Sequence, residues 1–187
     1  MRGLLSIAIF YLLSFQSYSQ SSDLKKIMLQ LDTMADGPVR GHFKNNVLAF
    51  SGEVVSGKMS EQWLFWNAQG MLKSNSFYEN GKKEGLEYLY DKEGRTLSKS
   101  NFSLGLLDGI YIEYYELFRP ALVGFYKQGK KDSVWTEYFP FGEISYTQNF
   151  KLNLQHGLQT HYYPNQEISR LEYYTYGIKS DQWTYYH

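Results

Sequence analysis

Glu113 and Glu137 are the two side chains whose type and spacing come nearest to a reactive site. Each lies in a short stretch, Tyr111–Tyr115 and Trp135–Phe139, and the two stretches stand 24 residues apart. On equivalent strands the carboxylates would face the same way roughly 9.5 Å apart. That is near the separation at which an inverting glycosidase holds its acid and its base. Such chemistry also needs one carboxyl desolvated enough to keep its proton. Nothing next to either residue in the sequence supplies that setting, and a repeated sequence produces such a pair automatically.

The other candidates fall away on context. Gly81–Gly85 reads GKKEG and Gly129–Ser133 reads GKKDS. Two glycines around lysines could cradle a phosphate, but no helix follows and the Gly-Lys-Ser/Thr ending is missing. The same slot at Gly105–Gly109 reads GLLDG, so turns with solvated lysines are expected. The histidines His42, His156, His161 and His187 share no metal-ligand spacing, and His156 with His161 lacks a third ligand. There is no cysteine nucleophile, Gly-x-Ser-x-Gly elbow or His-Glu-x-x-His helix. The expectation is a non-enzymatic chain with no catalytic, cofactor-binding or metal-binding residues.

Aromatic residues suggest binding instead. Trp63, Trp135 and Trp183 occupy one repeated position, with Tyr111 at the same position between the first two. Two residues beyond Tyr111 and Trp135 stand Glu113 and Glu137. Trp63, Tyr111, Glu113, Trp135, Glu137 and Trp183 together form a candidate partner-binding face, a rigid aromatic platform with flanking acids for a protein or for glycan rings.

The elements that position these residues come from a strict repeat. Gly57, Gly81, Gly105, Gly129, Asn153 and Gly177 are spaced 24 residues apart. Taking each as position 0, position 9 is Trp66, Tyr90, Tyr114, Tyr138, Tyr162 and Tyr186. Position 21 is Tyr78, Phe102, Tyr126, Phe150 and Tyr174. Position 4 carries turn-compatible residues, and position 13 carries Gly70, Gly94 and Gly142, with Phe118 and Gln166 as departures. Two turns per period leave two stretches of about eight residues, the dimensions of a β-hairpin. The fold class expected is all-β, an antiparallel meander of hairpin repeats over 57–187. Positions 5, 7 and 9, as in Leu86, Tyr88 and Tyr90, read as its core face. The interleaved positions, which carry the candidate partner face, read as the wetter one.

Ahead of the repeats, 37–56 keeps the register loosely, as an atypical capping unit would. Residues 20–36 predict a short helix: Leu24, Ile27, Met28 and Leu31 make one apolar face, Ser22 is an N-cap, and Gly37 with Pro38 ends it. Residues 1–19 read as a signal peptide cut between Ser19 and Gln20, placing the mature chain in the periplasm or outside the cell. With 19 basic and 19 acidic residues, no overall field draws the chain to nucleic acid.

The units NGKKEGLEYLYDKEG, QGKKDSVWTEYFPFGEI and YGIKSDQWTYYH resemble the MORN-repeat variant of bacterial proteins described as YwqK-type antitoxins of toxin–antitoxin systems. The resemblance covers Gly57 to His187. It implies a hairpin array that binds a protein partner and, in related MORN repeats, sometimes phospholipid. A glycan or lipid of the cell envelope is the alternative ligand class.

Overall fold

The computed structural model describes residues 31–185. The expected signal peptide, its cut site and most of the expected N-terminal helix lie outside the described residues. Within them the helical reading is corrected: Leu31–Thr33 form one 3-10 turn, and Met34 to Asp36 are not helical. The Asp36 carboxylate accepts the Ser56 amide at 2.7 Å, which ties this segment to the first hairpin tip. Gly37 then starts a strand at φ 120°.

Everything downstream is one antiparallel meander of 14 strands in chain order, so the all-β fold class is observed. The strands are β1 (Gly37–His42), β2 (Leu48–Val55), β3 (Lys58–Trp66), β4 (Leu72–Glu79), β5 (Lys82–Tyr90) and β6 (Thr96–Ser103). They continue as β7 (Leu106–Tyr114), β8 (Pro120–Lys127), β9 (Lys130–Tyr138) and β10 (Ile144–Lys151). The last are β11 (Leu154–Gln155), β12 (Gly157–Tyr162), β13 (Ile168–Thr175) and β14 (Ile178–Tyr185). β11 and β12 both pair with β10.

Backbone sign explains the period. Positions 23 and 0 are both left-handed, as in Asn80 at φ 51° and Gly81 at φ 80°. Two consecutive positive φ values are what a two-residue type I′ hairpin turn requires. GKKEG is therefore not one turn. Asn80–Gly81 is the turn, Lys82 begins β5, and Gly85 at φ 67° lies inside that strand, where the pairing with β4 slips. Lys83 is not solvated either; it is ion-paired to the buried Glu87. Each period is tied to the next by a backbone bond, such as the Gly81 amide to the Met59 carbonyl at 2.9 Å. At position 13, Phe118 and Gln166 depart only in residue type, for both still adopt positive φ, 58° and 67°.

The two faces have the opposite weights to those expected. Positions 5, 7 and 9 do share a face, but Leu86 and Ile110 there are 41% and 42% exposed, and Tyr114 is only half-buried. The deeper, inner face carries positions 6, 8 and 21, with Trp63 at 0% and Trp135 at 1%. The cause is a small residue at position 19 of the preceding strand. Trp63 lies flat on Gly52 and Trp135 on Gly124; a Cβ added to either glycine would come within 2.2 Å of the indole. A ring laid on bare backbone loses its lower surface to the sheet and its edges to neighbouring strands. At the N-terminal end Leu31, Val54, Met59, Trp63, Phe65 and Tyr78 then close into a buried cluster.

Candidate functional site

The inner face is built of three rows running across the strands. One joins positions 6 and 19, a second positions 8 and 17, and a third positions 2 and 21, because directly paired residues share a face. In the row of positions 8 and 17 Glu113 pairs with Leu122, Leu122 with Glu137, Glu137 with Tyr146, Tyr146 with His161 and His161 with Arg170. The two carboxylates therefore do face the same way, two strands apart.

Of the expected partner face, the sheet brings Tyr111, Glu113, Trp135 and Glu137 together. Trp63 lies in the N-terminal core cluster, and the Trp183 side chain is outside the described residues. Trp63 and Trp135 are not an exposed platform. Both are covered, and their indole N–H groups are satisfied by backbone carbonyls: Trp63 donates to Glu53 at 3.2 Å and Ser60 at 3.1 Å, Trp135 to Phe125 at 3.2 Å.

Around Trp135 the chemistry is charged. Lys131 Nζ stands 3.9 Å above its ring and 5.1 Å from that of Phe150, and burial pulls this ammonium below the ordinary lysine range against the attraction of Glu113 and Glu137. The Tyr111 hydroxyl donates to Glu113 Oε1 at 2.7 Å. Burial, then the Glu113 charge and that bond, push the phenol far above its usual range, so it stays a donor. Gln148 Nε2 donates to Glu137 Oε1 at 2.9 Å. Burial nonetheless raises the Glu137 carboxyl above the ordinary carboxylate range, with Lys131 opposing and Glu113 adding to the rise. Burial thus pushes Lys131 and Glu137 both towards neutrality. No ion pair joins Glu113 or Glu137 to a cation among the described residues.

A second charged group follows along the same face. Glu172 is 6% exposed and meets Lys179 Nζ at 2.7 Å, Arg170 Nε at 3.4 Å and His161 Nε2 at 3.7 Å. Against the cost of burial, the Lys179 bond and the surrounding cations hold its carboxyl below the usual range. The His161 ring stacks on Tyr146 at 3.9 Å, and burial followed by Arg170 lowers its pKa. Burial and then the Glu172 charge push the Tyr146 phenol up to about 12. His156 lies apart from this group, its ring tilted against that of Tyr176 at 4.5 Å. Among the described residues no cluster of His, Asp and Glu could hold a metal ion.

Lys131, Gln148, Arg170, Glu172 and Lys179 do not stand out in the sequence. One local signal marks the setting: Gly52 with Trp63 and Gly124 with Trp135 both lie 11 residues apart.

No family model matches the chain, and no curated protein matches it. Among solved structures, a point mutant of S. aureus TarM in complex with fondaparinux, alpha-GlcNAc-glycerol and UDP aligns at 8% identity and a TM-score of 0.24. The alignment covers 86% of this chain and 27% of that one, and a likeness this loose carries no argument.

Proposed function

We propose that this chain is an exported, non-enzymatic hairpin-repeat scaffold of MORN type that binds a protein partner across its inner face at Glu113 and Glu137. The observation that carries the reading is the state of Glu137. It is a half-buried carboxylate held above its ordinary range, without an ion-pair partner among the described residues, in an open row beside a second carboxylate. Such a group gains most from a cation that arrives with a partner and excludes the remaining water. The partner that fits is a protein presenting lysine or arginine side chains to adjacent repeats.

The test is a photo-crosslinking amino acid at Leu122, between the two carboxylates, in the producing cell. The expected result is one crosslinked protein, lost at least tenfold in Glu113→Gln/Glu137→Gln. Crosslinking unchanged by that double substitution overturns the reading.

A second reading, docking on an anionic lipid surface, is favoured by one rim of the sheet. The tips between β2 and β3, β4 and β5, and onward carry exposed Lys58, Lys82, Lys127, Lys130 and Lys151 against Asp36, Glu79 and Glu84. Along the same rim Leu104 is 72% exposed and Ile178 75%. Co-sedimentation with phosphatidylglycerol vesicles but not phosphatidylcholine vesicles, weakened by Leu104→Asn, would favour it; equal behaviour with both excludes it.

A further inference from the structure

The outer face carries a row of side chains at positions 5 and 20 whose apolar members from Phe77 to Tyr173 are 39–50% exposed. Register pairs its members two by two, Leu86 with Asn101, Ile110 with Phe125, Asn149 with Val134 and Leu158 with Tyr173, and between these pairs it slips, so that on β9 Asp132 stands directly opposite Phe125 and Val134 lies diagonal to it.

The order of residue types along this row is palindromic about Phe125. Aliphatic Ile110 and Val134 flank it on β7 and β9. Next come Asn101 and Asn149, each turned back on its own sheet through a bond to a backbone carbonyl, Asp108 and Leu158 respectively. Beyond them are the aliphatics Leu86 and Leu158, and then the aromatics Phe77 and Tyr173. A surface with this symmetry is complementary to a copy of itself turned by a two-fold axis. No repeat requires it, since neighbouring periods differ at both positions.

We infer that the outer face is the contact between two copies of this chain, stacked sheet to sheet about a two-fold axis that runs along the strand direction over Phe125. Phe125 meets Phe125, and Ile110 of each copy meets Val134 of the other. Stacked sheets lie about 10 Å apart with strands crossing by about 30°. That crossing keeps the central block in register while the outer blocks diverge. With full side-chain areas of about 150–250 Å² for the aromatics, the exposed parts of the whole row come to roughly 1,100 Å² across the two copies, of which Ile110, Phe125 and Val134 supply less than half, the size of a weak, concentration-dependent contact. The row is also separate from Glu113 and Glu137, which face the other way.

The full chain contains no cysteine, so engineered ones report without background. Sedimentation of the full chain should give a concentration-dependent mass of twice 22.0 kDa. Phe125→Glu, which sets two carboxylates against each other on the axis, should weaken the dimer at least tenfold with an unchanged circular dichroism spectrum. Under mild oxidation Phe125→Cys should crosslink to a covalent dimer. Ile110→Cys/Val134→Cys should do the same, while Ile110→Cys alone should not. A monomer at every concentration, or a dimer indifferent to Phe125→Glu, overturns the inference. Efficient crosslinking of Ile110→Cys alone overturns the axis, and with it the palindromic pairing. A larger particle containing a different protein on this face overturns it as well.

Discussion

Trp63 and Trp135 occupy the same position three repeats apart, each laid on a glycine of the preceding strand, yet the two regions differ in kind. Around Trp63 the neighbouring rows supply Met59, Phe65, Val54 and Tyr78, and the Leu31 turn closes over them into a dry cluster. Around Trp135 the equivalent of Met59 is Lys131 and the equivalent of Phe65 is Glu137, so the same backbone carries a charged and partly wet surface. The repeat sets the frame, and positions 2 and 8 decide whether a period becomes core or surface for use. A buried methionine stabilises without condition; a half-buried lysine and glutamate each pushed towards neutrality do not.

The comparison is broken most directly at the rings themselves. Trp63→Ala should cost about 5 kcal/mol and Trp135→Ala about 3 kcal/mol in urea melts, because water can enter beside Lys131 but not beneath the Leu31 turn. Equal losses would mean that the central region is as dry as the N-terminal one. Next in size, Gly124→Ala drives a methyl into the indole and should cost about 2 kcal/mol. In a Trp135→Ala background the same change should be nearly neutral, and a full cost there would show that the glycine acts through its backbone instead.

Phe118→Gly touches neither region and serves as the reference. Removing a side chain from a left-handed residue at φ 58° should stabilise by about 1 kcal/mol.

The smallest effect separates the two regions by pH. A carboxyl whose pKa is raised on folding leaves the native state binding more protons than the unfolded chain. Stability is then lost as pH rises through the window above the ordinary carboxylate range. Glu137→Gln should therefore raise the urea midpoint at pH 8 and leave it unchanged at pH 4. A midpoint lowered at pH 8 would show that the carboxylate is stabilising, against the role proposed for it in binding a partner.

Much of this was legible. Glycine or asparagine at position 0 and aromatics at positions 9 and 21 mark turns and strands through local backbone and pleat preferences, which act within a few residues. Legibility failed at the faces. Both carry aromatics, so alternation identifies two sets of residues without saying which is deeper. The deciding contact, Trp63 on Gly52 or Trp135 on Gly124, crosses between strands. The position 4 residues were legible as backbone departures but not as slips inside a strand, since Glu61 and Ser133 adopt there the positive φ that Gly85 adopts freely.

By itself, then, the amino-acid sequence determined the period, the strands, the turns at position 0 and the placing of Glu113 and Glu137 on one face, because these depend on residue type at fixed spacing. Only the tertiary structure decided that Trp63 and Trp135 are core, that Lys131 sits on an aromatic ring instead of in water, and that Phe125 stays exposed in an apolar row of the outer face. Burial and pKa depend on what lies across the sheet, and that neighbour is chosen by register over many residues of chain.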